Sequence, residues 1–80
     1  MKSYNARRLM LKSLVVDAGY SSVSQFAKLT KAFTGKSRSN ALIFAHLKKG
    51  CYDIRALKLY AKDLKVSIET IEPIFVLEKY

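Results

Sequence analysis

The sequence predicts an all-α domain built from five short helices. Apolar residues recur at spacings of three and four, the period of one helix face. The punctuation is helical as well: Ser22, Ser37 or Ser39, Asp53 and Ser67 stand where N-caps belong, and Gly19 and Gly50 where helices close. Three Gly and one Pro exclude collagen-like, linker-like and turn-rich compositions. Eighty residues, half of them apolar and 26% charged, fit one globular domain with a small core.

From Tyr4 to Ala18, the positions Leu11, Leu14, Val15 and Ala18 make an apolar stripe, with Arg7, Arg8 and Lys12 on the other side. Ser22-Val23-Ser24-Gln25 reads as a capping box that opens a second helix of about three turns. Phe26, Ala27, Thr30 and Phe33 share its face, and Thr34-Gly35 closes it. Ser37 or Ser39 caps a third helix. Its body, Ala41 to Leu47, is apolar nearly all round, which predicts burial on most sides. Lys48-Lys49-Gly50 ends it, with cations at the negative end of the helix dipole. Asp53 opens a fourth helix whose buried stripe is Ile54, Leu57, Ala61 and Leu64. Arg55, Lys58, Lys62 and Lys65 form a parallel stripe that reads as a solvated face. Ser67 starts a short fifth helix that Pro73 is expected to end. Residues 1–72 thus form the domain. Residues 73–80 form an apolar tail in which Ile74, Phe75, Val76 and Leu77 are candidates for dimerisation.

Charge narrows the function. Fifteen Lys and Arg face six Asp and Glu, a net charge of +9. No acid lies between Asp17 and Asp53, while Lys28, Lys31, Lys36, Arg38, Lys48 and Lys49 do. A surplus of this kind raises the folding cost through self-repulsion, and a polyanionic partner, most commonly nucleic acid, explains it. Catalysis finds no support. His46 is the sole histidine, with no acid nearer in sequence than Asp53, seven residues on; Cys51 is the sole cysteine, although Lys48 and Lys49 are placed to lower its pKa. The acids form no pair on one helix face, and Gly35-Lys36-Ser37 lacks the upstream Gly of a phosphate loop. No metal site, cofactor or disulfide is expected. No apolar run approaches the ~20 residues of a membrane span, and a cleaved leader is not expected, so the location expected is cytoplasmic.

Several segments resemble one family. Ser24-Gln25-Phe26-Ala27 looks like the start of the first helix of a helix-turn-helix. Gly35-Lys36-Ser37-Arg38-Ser39 looks like the turn and the N-terminus of a recognition helix. Phe44-Ala45-His46-Leu47-Lys48-Lys49-Gly50 resembles the end of that helix, and Ile54-Arg55-Ala56-Leu57 through Leu64-Lys65-Val66-Ser67-Ile68-Glu69 resembles the helix that follows. Together they resemble the lambda-repressor-like family of phage repressors, Cro proteins and antitoxins, over about fifty of the 80 residues. The twenty-three residues from Ala27 to Gly50 exceed the family's spacing. A longer second helix, turn or third helix must absorb the surplus.

The resemblance implies a sequence-specific double-stranded DNA-binding repressor of phage or mobile-element type, acting as a dimer on a near-palindromic operator. The alternative on the same fold is an antitoxin or antirepressor whose main partner is another protein. A recognition helix reads base edges with its first turns. Arg38 and Asn40 suit guanine and adenine, with Ser39 beside them. Lys28, Lys31, Lys36, Ser37, Lys48 and Lys49 are the phosphate contacts expected on chemical grounds, and the family's phosphate-binding Gln suggests Gln25.

Overall fold

A computed structural model describes residues 3–77. Among them are five helices: α1 (Tyr4–Asp17), α2 (Val23–Leu29), α3 (Asn40–Lys49), α4 (Ile54–Leu64) and α5 (Ile68–Phe75). Four of the five starts follow from a side-chain cap; Ser67 precedes α5 without capping it, its hydroxyl meeting Thr70 Oγ1 at 3.0 Å. Ser3, Ser22 and Ser39 accept a backbone N–H from the third residue of their helices, and Asp53 accepts from Arg55. The Gln25 side chain reaches back as expected, but its Oε1 accepts from Ser21 N–H at 2.6 Å, one residue before the cap.

The core takes Leu11 and Val15 from α1, Phe26 and Ala27 from α2, Ile43 and Leu47 from α3, a broad stripe from α4, and Ile71, Ile74 and Phe75 from α5. α1 packs on α2, α3 and α5, while α4 lies against α5. At the centre, Tyr60 stacks on Phe75 with ring centroids 4.4 Å apart, and Phe26 stacks more loosely on Tyr60 at 6.4 Å.

Four sequence expectations change. First, α2 is two turns long, not three. Thr30 is extended and donates its hydroxyl to Phe26 O, and a hairpin-like loop follows. Lys31 and Ser37 pair as an isolated antiparallel bridge, and Gly35, at φ +86°, closes the turn by donating to Ala32 O. The residues expected to lengthen α2 therefore sit in the loop between α2 and α3, and Phe33 leaves the helix face.

Second, Pro73 does not end α5; the helix runs on to Phe75. Ile74 and Phe75 are fully buried, and burying such a side chain contributes about 1.5–3 kcal/mol, enough to outweigh the hydrogen bond that Pro cannot donate. The expected dimerisation segment is thereby corrected. Ile74 and Phe75 belong to the core of their own chain, and only Val76 and Leu77, both half-buried, remain from it. The rest of the tail, including Glu78, lies outside the described residues.

Third, Arg7 is buried, not on a solvated face. It stands four residues before Leu11 and eight before Val15, in phase with the buried stripe. Its guanidinium donates to Leu47 O and Ile74 O, at the C-terminal ends of α3 and α5. A cation there meets carbonyls that helices leave unpaired and the negative ends of two dipoles. Fourth, Ile54 is exposed, and Ala56 and Tyr60 join the buried stripe of α4 instead.

Phe75 tests this arrangement. Phe75→Ala should lower the stability of the full chain by about 3–5 kcal/mol in urea unfolding. An unchanged midpoint would place Phe75 outside the core.

Candidate nucleic-acid interface

α3 separates its residues sharply. Ile43 and Leu47 point into the core, and Leu42, Phe44 and His46 are half-buried. Asn40, Ala41, Ala45, Lys48 and Lys49 are exposed: at about 100° per residue Ala41, Ala45, Lys48 and Lys49 lie on the side away from Ile43 and Leu47, while Asn40 is exposed at the helix start, on the edge beside α2. The apolar run was expected to be covered on most sides. The two alanines break that expectation: a methyl group loses little by facing water, so the helix turns its smallest apolar side chains outward.

The predicted site residues separate into two groups. Lys28, Lys31, Lys36, Lys48 and Lys49 are all exposed. No ion pair joins any of them to an acid among the described residues. Ser37 and Gln25 sit on either side of the hairpin-like loop, in the bridge and in the α2 cap. Asn40 is exposed, and its Nδ2 donates to Ser24 Oγ at 2.9 Å, tying the starts of α2 and α3 together. Ser39 is spent on capping, its hydroxyl accepting from Leu42 N–H at 3.0 Å. Beside α3, a cleft of about 370 Å³ is lined by Arg8 and Lys12 of α1, the serines that open α2, and Phe44.

Arg38 does not take the base-reading role expected of it. It is 4% exposed and donates to Asp63 Oδ2 at 2.7 Å. Its guanidinium lies 4.4 Å from the Tyr60 ring centroid and 5.2 Å from that of Phe26. An arginine so held does not reach a base edge. The reason is energetic: Tyr60 and Phe26 supply faces for a cation, and Asp63 supplies the counter-charge that a buried guanidinium requires. Asp63 is separated from Arg38 by 25 residues, so no local pattern joins them.

The remaining polar chemistry is that of a packed interior. His46 Nδ1 and Tyr60 Oη are 2.8 Å apart. Burial, with the nearby Arg38 charge adding to it, holds the His46 pKa below the ordinary value of 6.5. Burial pushes the Tyr60 phenol up and out of the physiological range. Cys51 is buried and burial raises its thiol pKa, so the expected activation by Lys48 and Lys49 does not arise. Arg38, His46 and Tyr60 line a second cleft of about 300 Å³ beneath the loop, with no carboxylate in its lining. No group of His, Cys, Asp and Glu among the described residues is placed to hold a metal ion. No helix among them is long and apolar enough to cross a membrane.

The chain matches no protein family, no curated protein and no solved structure with which it was compared.

The buried cation and the neighbouring imidazole generate two expectations. Arg38→Met should destabilise the fold by about 2–3 kcal/mol, less than the 3–5 of a fully enclosed pair because Asp63 still reaches water. Adding Asp63→Leu should recover most of that loss in a thermal melt, since the unpaired carboxylate is then gone; additive losses would show that the pair is not coupled. For His46 the folded form resists protonation that the unfolded chain accepts. Stability should therefore be complete above the ordinary imidazole pKa of 6.5 and fall as pH drops below it, where the unfolded state binds more protons. The pH dependence attributable to this group should disappear in His46→Gln, as read by urea unfolding at several pH values.

Proposed function

We propose that this protein is a helix-turn-helix repressor of lambda-repressor-like type that binds specific double-stranded DNA, with α2 and α3 as the motif and α3 as the helix that enters the major groove. The observation that carries the reading is the outward face of α3. It is made of small and polar side chains and set among lysines with no acid paired to them among the described residues. The major groove, ~12 Å wide, admits a helix, and small side chains let the backbone come close to base edges. Lys48 and Lys49 sit at the far end of the same helix, and Lys28, Lys31 and Lys36 lie on the preceding helix and loop. Cations in those places suit the phosphate backbone on either side of a groove.

Repression would act by occupying a promoter, and a dimer would place two copies of α3 about one DNA turn, ~34 Å, apart on a near-palindromic site. With Ile74 and Phe75 inside the core, the self-complementary patch moves to Val76, Leu77 and Tyr52. The Tyr52 hydroxyl donates to Leu77 O at 3.2 Å, joining them on one surface.

Salt titration of binding to duplex DNA from upstream of the protein's own gene tests the reading. Neutralising five or six phosphates should make log K fall with log salt at a slope of about −4 to −6. Lys48→Ala should weaken all sequences alike and reduce that slope by about one. A flat response, or no binding at low salt, would refute DNA binding.

A further inference from the structure

We infer that α3 reads A·T base pairs and has no means of reading guanine with a guanidinium. The inference rests on the proposal that α3 enters the major groove, and it follows from which side chains the fold leaves on the outward face. Arg38, the arginine closest to α3 in sequence, is withdrawn: it is 4% exposed and held by Asp63 at 2.7 Å. What the first two turns of α3 leave exposed is Ala41 and Ala45 on the side away from the core and Asn40 at the helix start, on the edge beside Ser24. Lys48 lies eight residues beyond Asn40, about 12 Å further along the axis, where a helix inclined in the groove approaches the backbone.

Each outward group has a chemical counterpart on an A·T pair. Adenine shows an N7 acceptor and an N6 donor side by side, and a carboxamide meets both at once. A carboxamide nitrogen carries two protons. Asn40 Nδ2 uses one on Ser24 Oγ, which leaves the second for N7 and Oδ1 for the N6 amine. The Ser24 bond fixes the plane of the amide before DNA arrives, so Ser24 is a positioning residue. Guanine opposes the same amide with O6 in place of the amine, setting two acceptors against each other. The methyl groups of Ala41 and Ala45 offer apolar contact of the kind the thymine C5-methyl accepts, and cytosine has no methyl there.

The experiment selects sites from a random duplex pool with the full chain and then alters single atoms of the recovered sequence. The half-sites recovered should share an A·T core. Replacing its thymines by uracil, which removes only the methyl, should weaken binding about fivefold or more, as should replacing adenine by 7-deazaadenine, which removes only N7. Asn40→Ala should abolish the 7-deazaadenine effect, keep the uracil effect, and leave random-duplex affinity within about twofold. Ser24→Ala should weaken the selected site while preserving sensitivity to 7-deazaadenine. Recovered cores of G·C, or tolerance of both altered bases within about twofold, would overturn A·T reading while DNA binding stands. Failure to retain any duplex at low salt would overturn both.

Discussion

The buried guanidinium of Arg38 is the constraint around which this small fold is arranged. A charge taken out of water needs a counter-charge and polarisable neighbours, or it is not tolerated. Here the neighbours come from separate parts of the chain. Asp63 and Tyr60 belong to α4, Phe26 to α2, and Arg38 itself to the last residue but one before α3. Satisfying one cation therefore fixes the end of the α2–α3 loop against α4 and, through it, the place where α3 begins. Ser39 then caps the helix immediately, and Asn40 is anchored to Ser24 across to α2. The orientation of the outward face of α3 follows from these attachments.

Arg7 applies the same logic at the other end. It joins the closing turns of α3 and α5 through Leu47 O and Ile74 O, where backbone acceptors would otherwise lack partners. α3 is thus held by a buried arginine near each terminus, and neither is available to a ligand. The cations left for a polyanion near α3 are mostly lysines, with Arg8 in the cleft beside it. The division suits the two side chains, because a planar guanidinium satisfies several fixed acceptors or an aromatic face, while an ammonium on a flexible stem serves a diffuse field of phosphates.

What could be read from the sequence reflects how local each signal is. The caps at Ser22, Ser39 and Asp53, and the apolar stripe of α1, are short-range features, and all of them appear in the structure. The 30–39 segment was harder. Phe33 falls in phase with Phe26 and Ala27, so periodicity extends α2 through it, and nothing nearby signals that Thr30 will turn its hydroxyl back to Phe26 and leave the helix. Pro73 misled in the opposite direction. Its local rule is sound, but the burial of Ile74 and Phe75 outweighs it, and that burial depends on α1, α3 and α4. Arg7 carried a usable signal in its phase with Leu11 and Val15. Arg38 carried none, because its partner lies 25 residues away.

That last failure reshapes the proposed site more than it damages it. A basic residue beside a helix start is ordinarily taken for a reader of bases, and among exposed residues the inference is sound. Once Arg38 is accounted for by Asp63 and Tyr60, the candidate surface loses its strongest hydrogen-bond donor and keeps a carboxamide, two methyls and a surround of lysines. Such a surface divides recognition between two sources. Attraction to the backbone is long-ranged and indifferent to sequence, whereas discrimination falls to one amide and the shape of two small side chains. A helix that reads through so few atoms gains little from a single half-site. Two copies, held in register by a shared surface, would double that discrimination without adding any new contact per chain, which is the physical case for linking the patch at Tyr52, Val76 and Leu77 to the proposed reading of DNA.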